Sequence, residues 1–213
     1  MRELQIVYRM AVANNRARAS QYFYEAHHRL IRRYAEAYSV PFLNACIAFS
    51  RLSPRTSITL NLRAFMNLLA GKPKPSAVLT ANWNSALNAL ALSEAQAYDY
   101  LYCEPLSKVR AFARNLLLDD SVITLDAIMA RILKDYFPIP SLNHLFQHYA
   151  EWHTRIYPYI QELEPSIPAF QIQATLWDYA RRLYTPVPTN TPFLPKTPKT
   201  RIFNSAGLFS DGV

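Results

Sequence analysis

Three glycines in 213 residues, at positions 71, 207 and 212, set the tightest limit on what this chain can fold into. Sheets joined by tight hairpins need residues that tolerate positive φ, and glycine supplies them at least cost. A chain this poor in glycine turns mainly at proline, asparagine and serine, which suits helices joined by short breaks. The expected fold is therefore all-α. Hydrophobic residues make up 51% of the chain and charged ones 18%, a globular balance. One domain of about eight to ten helices with a substantial core fits this length.

Hydrophobic spacing locates the helices. Leu4, Val7, Tyr8, Ala11 and Val12 repeat at i, i+3, i+4 and predict a helix over 3–17. Ser20 is the expected N-cap of the next, running to about Tyr38 through Tyr24, His28, Ile31 and Ala35. His27 and His28 are adjacent, so they point about 100° apart and do not share a ligand; one faces the surface and one an interface. Pro41 fits the first turn of a helix over 42–52 that is nearly all apolar. A helix without a polar face belongs in the middle of a core.

Ser53 or Thr56 is expected to cap a helix over 57–70, ended by Gly71. Residues 76–92 read as two helical pieces meeting near 81–82. Ser93 with Gln96 is a capping box opening a helix to about Cys103. Pro105 fits the first turn of the helix that carries Lys108. Asp119, Asp120 and Ser121 form a turn cluster, the β-branched run 122–125 is extended, and a helix follows from Asp126 to about Tyr136. Residues 141–163 read as one long helix with a break before Pro158. Pro165 and Pro168 open the last, to about Leu183.

From Thr185 the composition changes. Prolines at 186, 188, 192, 195 and 198 alternate with Lys196, Lys199 and Arg201. The division expected is a helical domain over 1–184 and a Pro-rich basic arm over 185–213, extended or disordered. Phe193, Ile202, Phe203, Leu208 and Phe209 fit the arm to dock on a protein partner or on a second copy.

A net charge of +8 favours a polyanionic partner, nucleic acid ahead of an anionic membrane. No run of about 18 apolar residues spans a membrane, and the N-terminus lacks the pattern of a secretory signal. Cys46 and Cys103 read as reduced, buried thiols of a cytosolic protein. With no CxxC pair, a cysteine-held zinc ion is not expected.

Several side chains are candidates for chemistry. Arg51, Arg55, Arg63, Lys72 and Lys74 surround the SPRTS turn, as phosphate contacts or as a solvated face. His144 and His148 stand at i, i+4 with Glu151 one turn on, nearly one face, where a metal ion could be held in a metal-dependent enzyme. The order lacks the glutamate of a metalloprotease motif, and an interface role is expected. Trp83, Trp152 and Trp177 each sit in an apolar helical pattern and read as core or interface anchors. Lys108 and Asp126 lie 18 residues apart, each near the start of a helix. They are a solvated lysine and an N-cap, or a reactive pair.

The order Lys108-Val109, then Val122-Ile123-Thr124-Leu125-Asp126, then an apolar helix resembles the helix–hairpin–helix DNA glycosylases, the superfamily of 8-oxoguanine glycosylase and endonuclease III. The wider chain is similar to a family of phage and bacterial proteins distantly related to them. LSPRTS with Asn61, the helix from Asn82 to Leu90, KVRAFARNL, TLDAIMARIL and QIQATLWDYARR carry that similarity over residues 20–184. In the glycosylases a glycine-rich hairpin holds a DNA phosphate through backbone N–H groups. Here Glu104-Pro105-Leu106-Ser107 precedes the lysine, without a glycine and with an acid.

The resemblance implies a glycosylase-like fold and base excision from DNA. Lys108 would be the nucleophile and Asp126 its electrostatic partner, at a helix start that favours an anion. Attack needs a neutral amine, a state favoured by desolvation and by Arg110 and Arg114 nearby. Those two arginines, with Arg55, Arg63, Lys72 and Lys74, would contact DNA. Gln173 and Trp177 would form a pocket wall. No metal or cofactor is implied, and the compartment would be the cytoplasm of a bacterial host. The competing reading is a non-enzymatic protein that keeps the scaffold and binds nucleic acid, or acts as a phage structural or interaction component.

Overall fold

The computed structural model describes residues 2–184, so the proposed arm over 185–213 lies outside the described residues. Those described residues are all-helical. Twelve α-helices follow in order: α1 (Arg2–Ala13), α2 (Asn15–Ala19), α3 (Phe23–Ala37), α4 (Phe42–Leu52), α5 (Ile58–Leu69), α6 (Thr80–Leu90), α7 (Glu94–Tyr102), α8 (Lys108–Leu116), α9 (Ala127–Leu133), α10 (Leu142–Gln147), α11 (Tyr149–Gln161) and α12 (Ala169–Tyr184). None is long and apolar enough to cross a membrane.

The apolar side chains form two clusters. One gathers α3 to α8 around α4, whose residues from Asn44 to Leu52 are all buried except Arg51. Helix α4 has no polar face, and it is enclosed, as the pattern predicts. Its one buried amide, Asn44, donates to the carbonyls of Leu90 (3.4 Å) and Leu92 (2.7 Å) at the end of α6. From α5, Asn61 donates to Phe49 O at 3.2 Å. The other cluster joins α1 to α9–α12 and to Ile123 and Leu125. Helices α8 and α12 supply both: Phe112 and Phe170 face the first, Ala111 and Ile172 the second.

Several local expectations are corrected. Ser20 does not cap α3: a 3-10 turn, Ser20–Tyr22, leads into it. On α3 the buried histidine is His27, which stacks on Phe23, while His28 is only partly buried. Ser57, not Ser53 or Thr56, caps α5 by accepting from Leu60 N at 3.2 Å. Residues 80–90 are one helix, because the first turns of the 76–92 stretch are taken up by the link after KPKP. Pro105 precedes α8, whose first turn begins at Lys108. The helix expected over 141–163 breaks at His148, and Pro158 lies inside α11 without ending it. Cys103 follows the end of α7 and is exposed; Cys46 is buried. Two expectations appear as read: Gly71 takes φ +62° just past α5, and Ser93 with Gln96 closes a reciprocal capping box on α7.

Candidate functional site

Between α8 and α9 the chain runs extended through Val122–Leu125, with no partner strand among the described residues. Buried backbone groups must still be paired, and side chains do this. Asn115, fully buried on α8, donates to Val122 O at 2.7 Å and accepts from Thr124 Oγ1 at 2.8 Å. From α11, Tyr149 Oη accepts from Leu125 N at 2.8 Å and donates to Ile123 O at 3.3 Å. Ile123 N donates to His153 Nε2 at 3.1 Å. That bond needs an unprotonated ring nitrogen, and burial, with Arg114 adding to it, lowers His153 to about 4. Ahead of this stretch, burial alone would raise the Asp119 carboxyl. Hydrogen bonds from Ser121 and Arg114 outweigh burial and hold it below its ordinary value.

This buttressed segment delivers Asp126 to the start of α9. One carboxylate oxygen, Oδ1, accepts from Ile128 N and Met129 N, both at 2.9 Å. The other accepts from Trp177 Nε1 at 2.8 Å. One turn before Trp177 on α12, the buried Gln173 accepts from Tyr24 Oη at 2.8 Å. Burial pushes the Tyr24 phenol up. Hydrogen bonds with Thr124 and Gln173 oppose this, and the Asp126 carboxylate adds to it, so Tyr24 stays a donor. Asp126 thus meets Trp177, 51 residues on, and Gln173 lies one turn before Trp177 on the same helix.

Lys108 is the first residue of α8, behind the N-cap Ser107, whose Oγ accepts from Arg110 N at 3.4 Å. It is half-buried and has no polar partner among the described residues. Arg110 binds the Glu104 carboxylate and the Pro105 carbonyl and lies over the Tyr100 ring, 4.6 Å from its centroid. Arg114 donates to Asp119 Oδ2 and to Ser121 Oγ, both at 2.7 Å. Arg55, Arg63 and Lys72 are exposed, whereas Lys74 donates to Val78 O at 2.7 Å and to Pro75 O at 3.3 Å within its own loop. Arg55 holds φ +62° in the SPRTS turn, and Asn82 ties that turn to α6 by donating to Pro54 O at 2.8 Å.

Of the other candidates, His144 stacks on His148 and accepts from Trp152 Nε1 at 3.1 Å, and His148 lies 3.7 Å from Glu151. Among the described residues no group of three or more histidine, cysteine, aspartate or glutamate side chains is placed so that it could hold a metal ion. Sequence reading passed over Asn115, Tyr149 and His153, which hold the approach to α9. The i, i+4 spacing of Tyr149, His153 and Tyr157, whose rings stack in turn, is the signal that marks one face of α11.

Every helix falls within a family match, apart from the last two residues of α12. Residues 1–182 fit the model of a family of unknown function, DUF7178. The chain belongs to DUF7178. No curated protein and no solved structure matches it. The DUF7178 match thus spans Lys108, Asp126, Gln173 and Trp177 together.

Proposed function

We propose that this protein is a DNA-binding protein of the helix–hairpin–helix glycosylase type that excises a modified base by lysine chemistry. The observation that carries this reading is the hydrogen bond from Trp177, which the resemblance makes a pocket wall together with Gln173, to Asp126, which it makes the electrostatic partner of the lysine. Lys108 adds to it, as a half-buried residue without a polar partner among the described residues. In the reaction the base is flipped from the stack. A bond forms between Lys108 Nζ and the sugar C1′ while the C1′–N bond to the base breaks, its electrons leaving with the base, which takes up a proton. Opening of the sugar ring then gives an imine between Lys108 and C1′. Asp126 stabilises the positive charge that develops on the sugar. The unengaged cations Arg55, Arg63 and Lys72 supply contacts to the strand.

The test is to incubate the protein with DNA carrying a panel of modified bases and add borohydride. A covalent adduct that Lys108→Ala abolishes is expected. No adduct across the panel sinks the lysine mechanism, and no binding at low salt sinks the DNA reading as well.

A second reading, nucleic-acid binding without chemistry, is favoured by a specific observation. Both Asp126 oxygens are already engaged, by the α9 backbone and by Trp177. Binding without an adduct selects that reading. In either case residues 185–213 are proposed to carry a protein contact or self-association, tested by whether their deletion changes the oligomeric state.

A further inference from the structure

We propose that the groove between α4, α6, α7 and the start of α8 grips a phosphodiester of a nucleic-acid strand through Arg51. This rests on the nucleic-acid part of the reading above and does not need the lysine chemistry. The groove has a volume of about 320 Å³ and is lined by Arg51, Pro54, Asn82, Ser85, Tyr100 and Ser107 among others. None of Asp126, Gln173 and Trp177 lines it.

Arg51 is the last-turn arginine of the most enclosed helix, and the fold fixes its guanidinium. One nitrogen, Nη1, donates to Ser85 O at 2.9 Å, and the guanidinium carbon sits 4.4 Å from the centroid of the Tyr100 ring. A guanidinium already held in plane gives up little freedom when it forks onto an oxyanion. Arg51 has no carboxylate partner among the described residues. Arg110 lies over the same ring at 4.6 Å. Arg110 is paired with the Glu104 carboxylate, so Arg51 is the cation at that ring left without a carboxylate among the described residues. No acid lines the groove, and Glu104, three residues before the lining Ser107 in sequence, is taken by Arg110.

The choice of a nucleic-acid strand over an acidic peptide follows from charge. Arg51 is the cation that lines the groove, no acid lines it, and the whole chain carries +8, a balance that suits a linear polyanion with regularly spaced charge.

The experiment measures binding of the full chain to a labelled oligonucleotide, single-stranded and duplex, between about 50 and 200 mM salt. Arg51→Ala should weaken binding about fivefold or more and flatten the slope of log K against log salt by about 0.7–0.9, the loss of one phosphate contact. Arg51→Gln keeps a donor for Ser85 O, and it should lose affinity and slope alike. Circular dichroism melts confirm that at least one of the two variants is folded. If the wild type binds nucleic acid but both variants match it in affinity and slope, this inference is wrong and the proposed function stands. If the wild type binds no nucleic acid, both fall. If polyglutamate displaces the oligonucleotide at equal charge concentration, the occupant is an acidic peptide and the phosphodiester assignment is overturned.

Discussion

Helices α8 and α9 each have a charged residue of interest at their start, Lys108 as the first residue of one and Asp126 as the N-cap of the other, and the fold treats the two in opposite ways. At the start of α9 every acceptor position of Asp126 that the structure uses serves packing: two backbone N–H groups and the Trp177 indole converge on one carboxylate. The extended run that leads there is held by Asn115, Tyr149 and His153. At the start of α8 the capping is done by Ser107, and Lys108 has no polar partner among the described residues. Stability therefore accounts for Asp126 and does not account for Lys108. A residue that the fold does not need is the better place to look for a role in binding or reaction.

Acid should expose the contrast most strongly. His153 is lowered to about 4 in the folded chain from an ordinary 6.5. Between those values the unfolded chain holds a proton that the native one does not. Stability is then full above pH 6.5 and lost as pH falls toward 4, by on the order of 3 kcal/mol from this group. His27, lowered to about 4 chiefly by burial, acts in the same direction. Chemical denaturation across this pH range should show the loss, and His153→Gln should flatten it in part. Amide exchange at acid pH should quicken first at Ile123–Leu125 and not at the start of α8.

The next effect is that of Asp126→Ala. It removes a cap worth about 1 kcal/mol and leaves the Trp177 N–H unpaired at a further cost of about 1–3 kcal/mol. Denaturant titration should therefore show a loss of roughly 2–4 kcal/mol, and Asp126→Asn, which still accepts, should recover much of it. A loss under 0.5 kcal/mol would break the claim that the carboxylate is built into the fold. Ser107→Ala removes the α8 cap alone and should cost about 1 kcal/mol. Smallest is Lys108→Ala, expected within about 0.5 kcal/mol of wild type. A larger loss would place Lys108 in the packing and remove the contrast.

Much of this was legible in the sequence where one residue decides one local event. Gly71 ends α5, Ser93 with Gln96 opens α7, and the run 42–52 lacks a polar face and is enclosed. Asp126 before an apolar helix reads as a cap and is one. Local signals failed where neighbours compete: Ser53, Thr56 and Ser57 can each cap, and only tertiary placement selects Ser57. His27 and His28 both fit the edge of one apolar stripe, and packing against Phe23 and Phe49 decides for His27. The break at His148 has no glycine or proline to announce it. The pairing of Asp126 with Trp177 spans 51 residues, and the Arg51–Tyr100 contact joins α4 to α7. Neither leaves a trace in spacing, since both arise from how finished helices pack.

The identity of the residue trapped on DNA bears most directly on the role of Lys108. After borohydride treatment of the wild-type protein with a modified-base duplex, the complex is digested and the adduct located by peptide mass spectrometry. A sugar adduct on Lys108 is expected, persisting at lower yield in Asp126→Asn. An adduct on any other amine, or none while DNA is bound, would contradict that role.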